Sequence, residues 1–366
     1  MRILFLQPQP CIRALKYAKG LRGALGKEVL MVFGYLKRTL TEFYGCGDEL
    51  FDEFIKLDKG NLERDISRLV ERYRPDIIHS HNAPDYLTVS AINSVEDTPV
   101  IHDTHDPITL RKTGYYEGDD EEKILEYSRQ EKTANERSDG RIYVTEGVRD
   151  YIQQRYKVDP GRSLVFHNYV SEAMLPRQLT RKLSEEDGQT HIVYIGTITS
   201  RIEGHHYDLR EIFREIAQRG LHIHIYAARE DDAYETLAEE DSFIHYHGHL
   251  DQELLLPEIA KYDFGWSGFN TAKNREHLDV VLPHKAIEYI ACGLPVLTLP
   301  HKTLKRFVEE HQVGLAFDDL DEMKEKLKGG GYLRIRENVL KSRFKFTIES
   351  TIGELVGFYR KLIGNT

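Results

Sequence analysis

The chain has 366 residues, more than one hydrophobic core usually supports, so two domains are expected. Apolar residues make up 40% and charged residues 30%, and the net charge of −10 argues against a general nucleic-acid binder. The three cysteines, Cys11, Cys46 and Cys292, show neither zinc-ligand spacing nor a disulfide framework, which points to a reducing, cytoplasmic setting. The apolar run Ile3–Leu6 is too short for a signal-peptide core, and no stretch approaches the ~20 apolar residues of a membrane helix.

In chain order, short apolar segments predict buried strands at Ile3–Leu6, Val29–Phe33, Ile77–His79, Val100–Ile101, Ile142–Thr145 and Leu164–His167. Helical patterns fall between them at 12–25, 61–73, 84–93, 121–137 and 146–156. After a polar stretch, 171–190, a second series begins. Its strands are expected at Ile192–Gly196, Ile223–Ala227, Ile244–His247, Phe264–Ser267, Val296–Leu299 and Leu315–Phe317. Helices near 208–219, 231–239, 251–261, 284–291 and 302–311 alternate with those strands. Such alternation implies right-handed crossovers and parallel sheets, hence two doubly wound α/β domains. In open sheets of this kind ligands bind beyond the carboxyl ends of the strands, where the chemistry-bearing residues should lie.

The first loop, Gln7-Pro8-Gln9-Pro10, has no glycine. No GxGxxG follows either opening strand, which counts against a nicotinamide or flavin enzyme. Residues 13–38 carry Arg13, Lys16, Lys19, Arg22, Lys27, Lys37 and Arg38 against Glu28 alone. With Ile12, Leu15, Leu21 and Leu25 they read either as a solvated basic face or as an amphipathic helix for peripheral membrane contact. His102, Asp103, His105 and Asp106 are expected just past a short strand. There they form either a polar loop with mutual hydrogen bonds or a reactive cluster; as zinc ligands they lack a clear third partner. Tyr115, Tyr116 and the acids Asp119–Glu122 read as a mobile loop.

Gly196 follows the first strand of the second series and lets backbone approach a phosphate, for which Arg201 offers a bidentate fork. The segment 282–296 reads LPHKAIEYIACGLPV. Pro283 suits a helix start, and Gly293 and Pro295 its end. Lys285 in the first turn opposes the helix dipole, an arrangement that becomes favourable if an anion such as a diphosphate docks there. Glu288, three positions on, is either its surface ion partner or an acceptor for a ribose diol.

The 282–296 segment resembles the donor-site helix of GT-B glycosyltransferases of the large retaining family four. Val193–Thr197, Tyr262–Gly265 and the closing segment 346–363 resemble that family's other landmarks in the expected order. The resemblance implies two Rossmann-like domains facing each other across a cleft. It divides the chain into an acceptor-side domain at 1–172, a linker at 173–190, a nucleotide-sugar domain at 191–345 and a helix, 346–366, returning to the first domain. It also implies His105, with Asp106, at the reacting centre, and Gly196, Arg201, Pro283, Lys285 and Glu288 around the donor. Many members carry a second glutamate eight positions before the ribose-binding one. Here that position is Val280, and Asp279 is the substitute.

The function implied is retaining, metal-independent transfer of a hexose from a nucleotide-diphosphate sugar to a carbohydrate or lipid-linked acceptor. Polysaccharide biosynthesis is the setting, with no cofactor beyond the co-substrate and no nucleic-acid partner. A nucleotide-sugar 2-epimerase and a non-catalytic sugar-nucleotide-binding protein are the alternatives.

Overall fold

The computed structural model describes residues 1–37, 48–82, 85–110, 121–178 and 180–364. Arg38, Tyr115, Tyr116, Asp119 and Asp120 lie outside them. The chain forms two compact units, Met1–Asn168 with Ile348–Thr366, and Tyr169–Thr347.

The first unit holds seven strands: β1 (Arg2–Leu6), β2 (Leu30–Tyr35), β3 (Glu53–Lys56), β4 (Ile77–His81), β5 (Val100–Thr104), β6 (Gly140–Tyr143) and β7 (Ser163–Val165). They pair in the order β3-β2-β1-β4-β5-β6-β7, every pair parallel. Leu4, Val32, Ile78 and Val100 pack with Ile66 and Leu69 of the helix Leu62–Tyr73. Continuous apolar runs are what a sheet covered on both faces requires. The C-terminal helix Ile348–Ile363 belongs to this unit, where Tyr359 OH hydrogen-bonds His79 Nδ1 of β4.

The second unit holds β8 (His191–Gly196), β9 (His222–Ala227), β10 (Ile244–Tyr246), β11 (Phe264–Trp266), β12 (Val296–Thr298) and β13 (Gly314–Ala316). The order is β10-β9-β8-β11-β12-β13, again parallel throughout. Alternate residues of β8 enter opposite cores: Val193 and Ile195 one, Ile192 and Tyr194 the other. The polar stretch 173–190 lies within this unit. Lys182 is buried there, donating to the carbonyls of Ala260 and Tyr262 at 2.8 and 2.7 Å.

Among the described residues, one strand and two of the longer helices went unread in the sequence. Strand β3 is a partly exposed edge with no buried run, and the helices Leu320–Lys328 and Tyr332–Ser342 follow the last strand. Strand β5 also runs on to Thr104, so His102 and Asp103 sit inside the sheet, not past it.

Candidate functional site

In the second unit the strand order reverses at β8, which pairs with β9 on one side and β11 on the other. Ligands of open α/β sheets bind at such a reversal. The helix His284–Ala291 is fixed beside it by Tyr289, whose hydroxyl accepts from Ile195 N at 2.9 Å and donates to Trp266 O at 3.1 Å. Gly265 permits this, because a Cβ there would meet the Tyr289 ring at 2.1 Å. Pro283 stands one position earlier than expected, as the N-cap, with φ −63° and ψ 141°.

So held, Lys285 turns its Nζ toward the carboxyl end of β8. Gly196, with φ 117°, ends that strand, and a Cβ on it would lie 3.4 Å from Lys285 Nζ. Two predicted residues, 89 positions apart, are thereby brought together. The ammonium lies 3.7 Å from the Tyr194 ring centroid and 5.3 Å from that of Phe269. It has no hydrogen-bond partner among the described residues and is 8% exposed. Burial pushes its pKa well below the ordinary lysine value, and the charge of Glu288 offsets only part of this. Glu288 is itself buried on the same helix. A buried ammonium stacked on aromatic rings, without an acceptor, gains most from an incoming anion.

The other expected donor residues lie differently. Asp279 serves the neighbouring helix Lys302–Glu310. Its carboxylate accepts from Lys302 N at 3.2 Å and pairs with Lys302 Nζ at 3.3 Å, while its carbonyl accepts from Thr303 N at 3.0 Å. That is a helix-capping role, which the sequence did not disclose. Arg201 is exposed, with its backbone N–H bonded to Thr199 Oγ1 at 3.3 Å.

In the first unit, β4 and β5 end in a polar network whose centre is Asp103. Arg13 Nε and Tyr17 OH donate to Asp103 Oδ2 at 3.0 and 2.9 Å, and His79 Nε2 bonds the same oxygen at 3.1 Å. Burial pushes the Asp103 carboxyl up, but Arg13 and the His79 bond outweigh it and hold the pKa well below the usual carboxylate range. The charge of Asp103 in turn holds Arg13 above its ordinary value against burial. His105 Nε2 shares a hydrogen bond of 2.9 Å with His81 Nδ1, and burial lowers its pKa to about 4, so its ring is neutral at pH 7. Asn82 fixes the turn by accepting from His105 N at 2.8 Å and donating to Asp106 O at 2.8 Å.

The expected His-Asp cluster is therefore divided. Successive strand residues point to opposite faces, and His102 turns to Thr88 Oγ1 at 2.9 Å instead of joining Asp103. The cationic helix is corrected too. Arg13 and Lys16 are buried and Arg22 pairs with Asp52 at 2.9 Å, leaving Lys19 as the exposed cation of the helix Ile12–Leu25. Sequence reasoning missed Arg13, Tyr17, His81, Tyr194 and Phe269. The alternation His79-Ser80-His81 in an otherwise apolar strand was the available signal.

Residues 55–173 match the Glycosyltransferase Family 4 model, and residues 206–347 match that of the glucosyltransferase 3-like C-terminal domain. The chain is a GT-B glycosyltransferase. Its fold is shared with a glycosyltransferase from Rickettsia africae at 14% identity and a TM-score of 0.69, over 100% of this chain and 99% of the other. Anabaena HepE, solved in complex with UDP-glucose, matches at 14% identity and a TM-score of 0.63, over 98% and 99%. A UDP-N-acetylglucosamine 2-epimerase matches at 15% and 0.57, over 100% and 97%. Likeness at these identities shows the fold alone, and a comparison with curated sequences gave no match. No helix among the described residues of the glycosyltransferase is long and apolar enough to cross a membrane.

Proposed function

We propose that this glycosyltransferase moves a hexose from a nucleoside-diphosphate sugar to a carbohydrate or lipid-linked acceptor, retaining the anomeric configuration and using no metal at the diphosphate. The observation that carries this reading is Lys285, whose buried ammonium has no acceptor among the described residues and lies at the bare backbone of Gly196. A diphosphate placed there would gain the ammonium charge and the N-terminal dipole of the helix His284–Ala291, so the leaving group's charge is met by protein groups. Glu288 accepts from the ribose diol, Arg201 approaches the phosphates from the surface, and Pro283 sets the helix start. Asp279 is assigned to capping and not to the sugar. His105 and Asp106 serve the reacting sugar, His105 as a neutral imidazole. The reaction belongs to cytoplasmic polysaccharide biosynthesis.

UDP-glucose is the first donor to test, because Anabaena HepE was solved with it and the C-terminal half matches a glucosyltransferase 3-like model. The assay offers UDP-glucose and candidate oligosaccharide or lipid-linked acceptors in EDTA, then reads the product anomer by NMR. An α-linked product from the α-linked donor, undiminished by EDTA, supports the proposal. An inverted product, or turnover restored only by magnesium or manganese, refutes it. Epimerised nucleotide sugar formed without acceptor would favour the 2-epimerase, and donor binding without turnover the binding-protein reading.

A further inference from the structure

The Asp103 network ends in an arrangement that sugar transfer does not require. Cys11 stands at the N-cap of the helix Ile12–Leu25, and its side chain makes no capping hydrogen bond there. Its Sγ, one imidazole nitrogen of His81 and one of His105 all lie within 4.8 Å of one another. His81 Nδ1 and His105 Nε2 face each other at 2.9 Å, and each is 3.8 Å from an oxygen of Asp103. Cys11 and His105 are partly exposed, so the cluster opens outward, while His81 and Asp103 form its buried floor.

Zinc takes thiolate sulfur at ~2.3 Å and imidazole nitrogen at ~2.0–2.1 Å, which puts ligand atoms about 3.3–3.7 Å apart around a tetrahedral ion. The cluster needs shifts of about an ångström at most to match that geometry. The shared proton between His81 and His105 would be replaced by the ion. Asp103 is already fixed by Arg13, Tyr17 and His79. It supplies the nearby carboxylate that commonly orients ligating histidines. The inner trio His79, His81 and Asp103 also lies close together. However, both nitrogens of His79 are engaged, with Tyr359 and Asp103, so that trio offers one ligand fewer.

We propose that Cys11, His81 and His105 form a site for a soft divalent cation, with zinc as the chemistry they suit best. The ion displaces the thiol proton of Cys11 on binding, and the fourth position stays open to water. The ion is a regulator and not a cofactor. It engages the ring of His105, a residue that the proposed function assigns to the reaction, so that consequence rests on the proposed function while the binding does not.

The test is optical and needs no turnover. The chelator-treated full chain is titrated with cobalt(II), then with zinc, following the thiolate-to-cobalt charge-transfer band in the near ultraviolet. One saturating cobalt per chain with a thiolate band, displaced by zinc, is expected. Cys11→Ser keeps a good N-cap, and should fold as the parent does while losing the band. His81→Ala should weaken binding by at least about 100-fold, the upper end of what outer-shell partners alone contribute. No saturable binding, or a thiolate band that survives in Cys11→Ser, overturns the proposal. Zinc bound as described without loss of turnover would remove only the regulatory consequence.

Discussion

Two buried cations, Arg13 and Lys285, are 3% and 8% exposed. They nevertheless differ in kind. Arg13 meets a buried carboxylate at 3.0 Å and Asn168 Oδ1 at 2.9 Å, and its charge is favoured. Lys285 meets aromatic faces, and its charge is disfavoured. A compensated buried charge fixes a local structure, whereas an uncompensated one stores a cost that a ligand can remove. By this contrast the Asp103 network holds together the strand ends beneath His105, and Lys285 is the group proposed to bind the donor.

The comparison can be broken by substitution, beginning with the scaffold. Asp103→Asn keeps the shape but leaves Arg13 buried beside a neutral amide. It should cost about 3–5 kcal/mol of stability, as removing one partner of a buried pair does. Chemical denaturation reads this directly, and a loss below about 1 kcal/mol would mean that Arg13 is solvated in place. Lys285→Met should do the reverse. Nucleoside-diphosphate affinity should fall by roughly 1.5–3 kcal/mol, the range for hydrogen bonds to charged groups, while the thermal midpoint without ligand holds or rises. If Lys285→Met unfolds as readily as Asp103→Asn, the two cations are alike and the contrast fails.

Glu288→Ala should weaken donor binding by roughly 1–3 kcal/mol through lost ribose hydrogen bonds, with the fold intact. Unchanged affinity in calorimetry would remove Glu288 from the site. Smallest is Asp279→Ala, which should cost about 1 kcal/mol of stability through a weakened helix start and leave donor affinity untouched. A large loss of donor binding in that variant would restore Asp279 to the sugar.

Both sheets were legible because most of their strands carry short apolar runs, such as ILFL in β1 and IVYI in β8, the pattern that burial on two faces demands. Strand β3 was not, since Glu53 and Lys56 flank only two half-buried residues. The polar end of β5 hid for another reason. His102 and Asp103 read as loop until Thr88, Arg13 and Tyr17, all distant in sequence, are seen to satisfy them. The site divides in the same way. Lys285 was conspicuous because a cation at a helix N-terminus contradicts the dipole unless an anion comes. Asp103 was only one acid among several, because its importance depends on Arg13, 90 positions away. The capping contact of Asp279 was not legible, because its spacing from Glu288 was all that could be seen and its contact with Lys302 is tertiary.

The Lys285 ammonium meets no acceptor among the described residues, and a bound diphosphate would supply one. Its pKa in the free protein is lowered, and a bound anion should raise it. Between those two values binding takes up a proton, and affinity falls as the pH rises through the higher one. Calorimetry of UDP, GDP and ADP over a series of pH values, in buffers of different ionisation enthalpy, tests this directly. The nucleoside diphosphate that binds should do so with net proton uptake within that window, and Lys285→Met should lose both the uptake and most of the affinity. Binding without proton uptake, and equally tight in Lys285→Met, would contradict this role of Lys285.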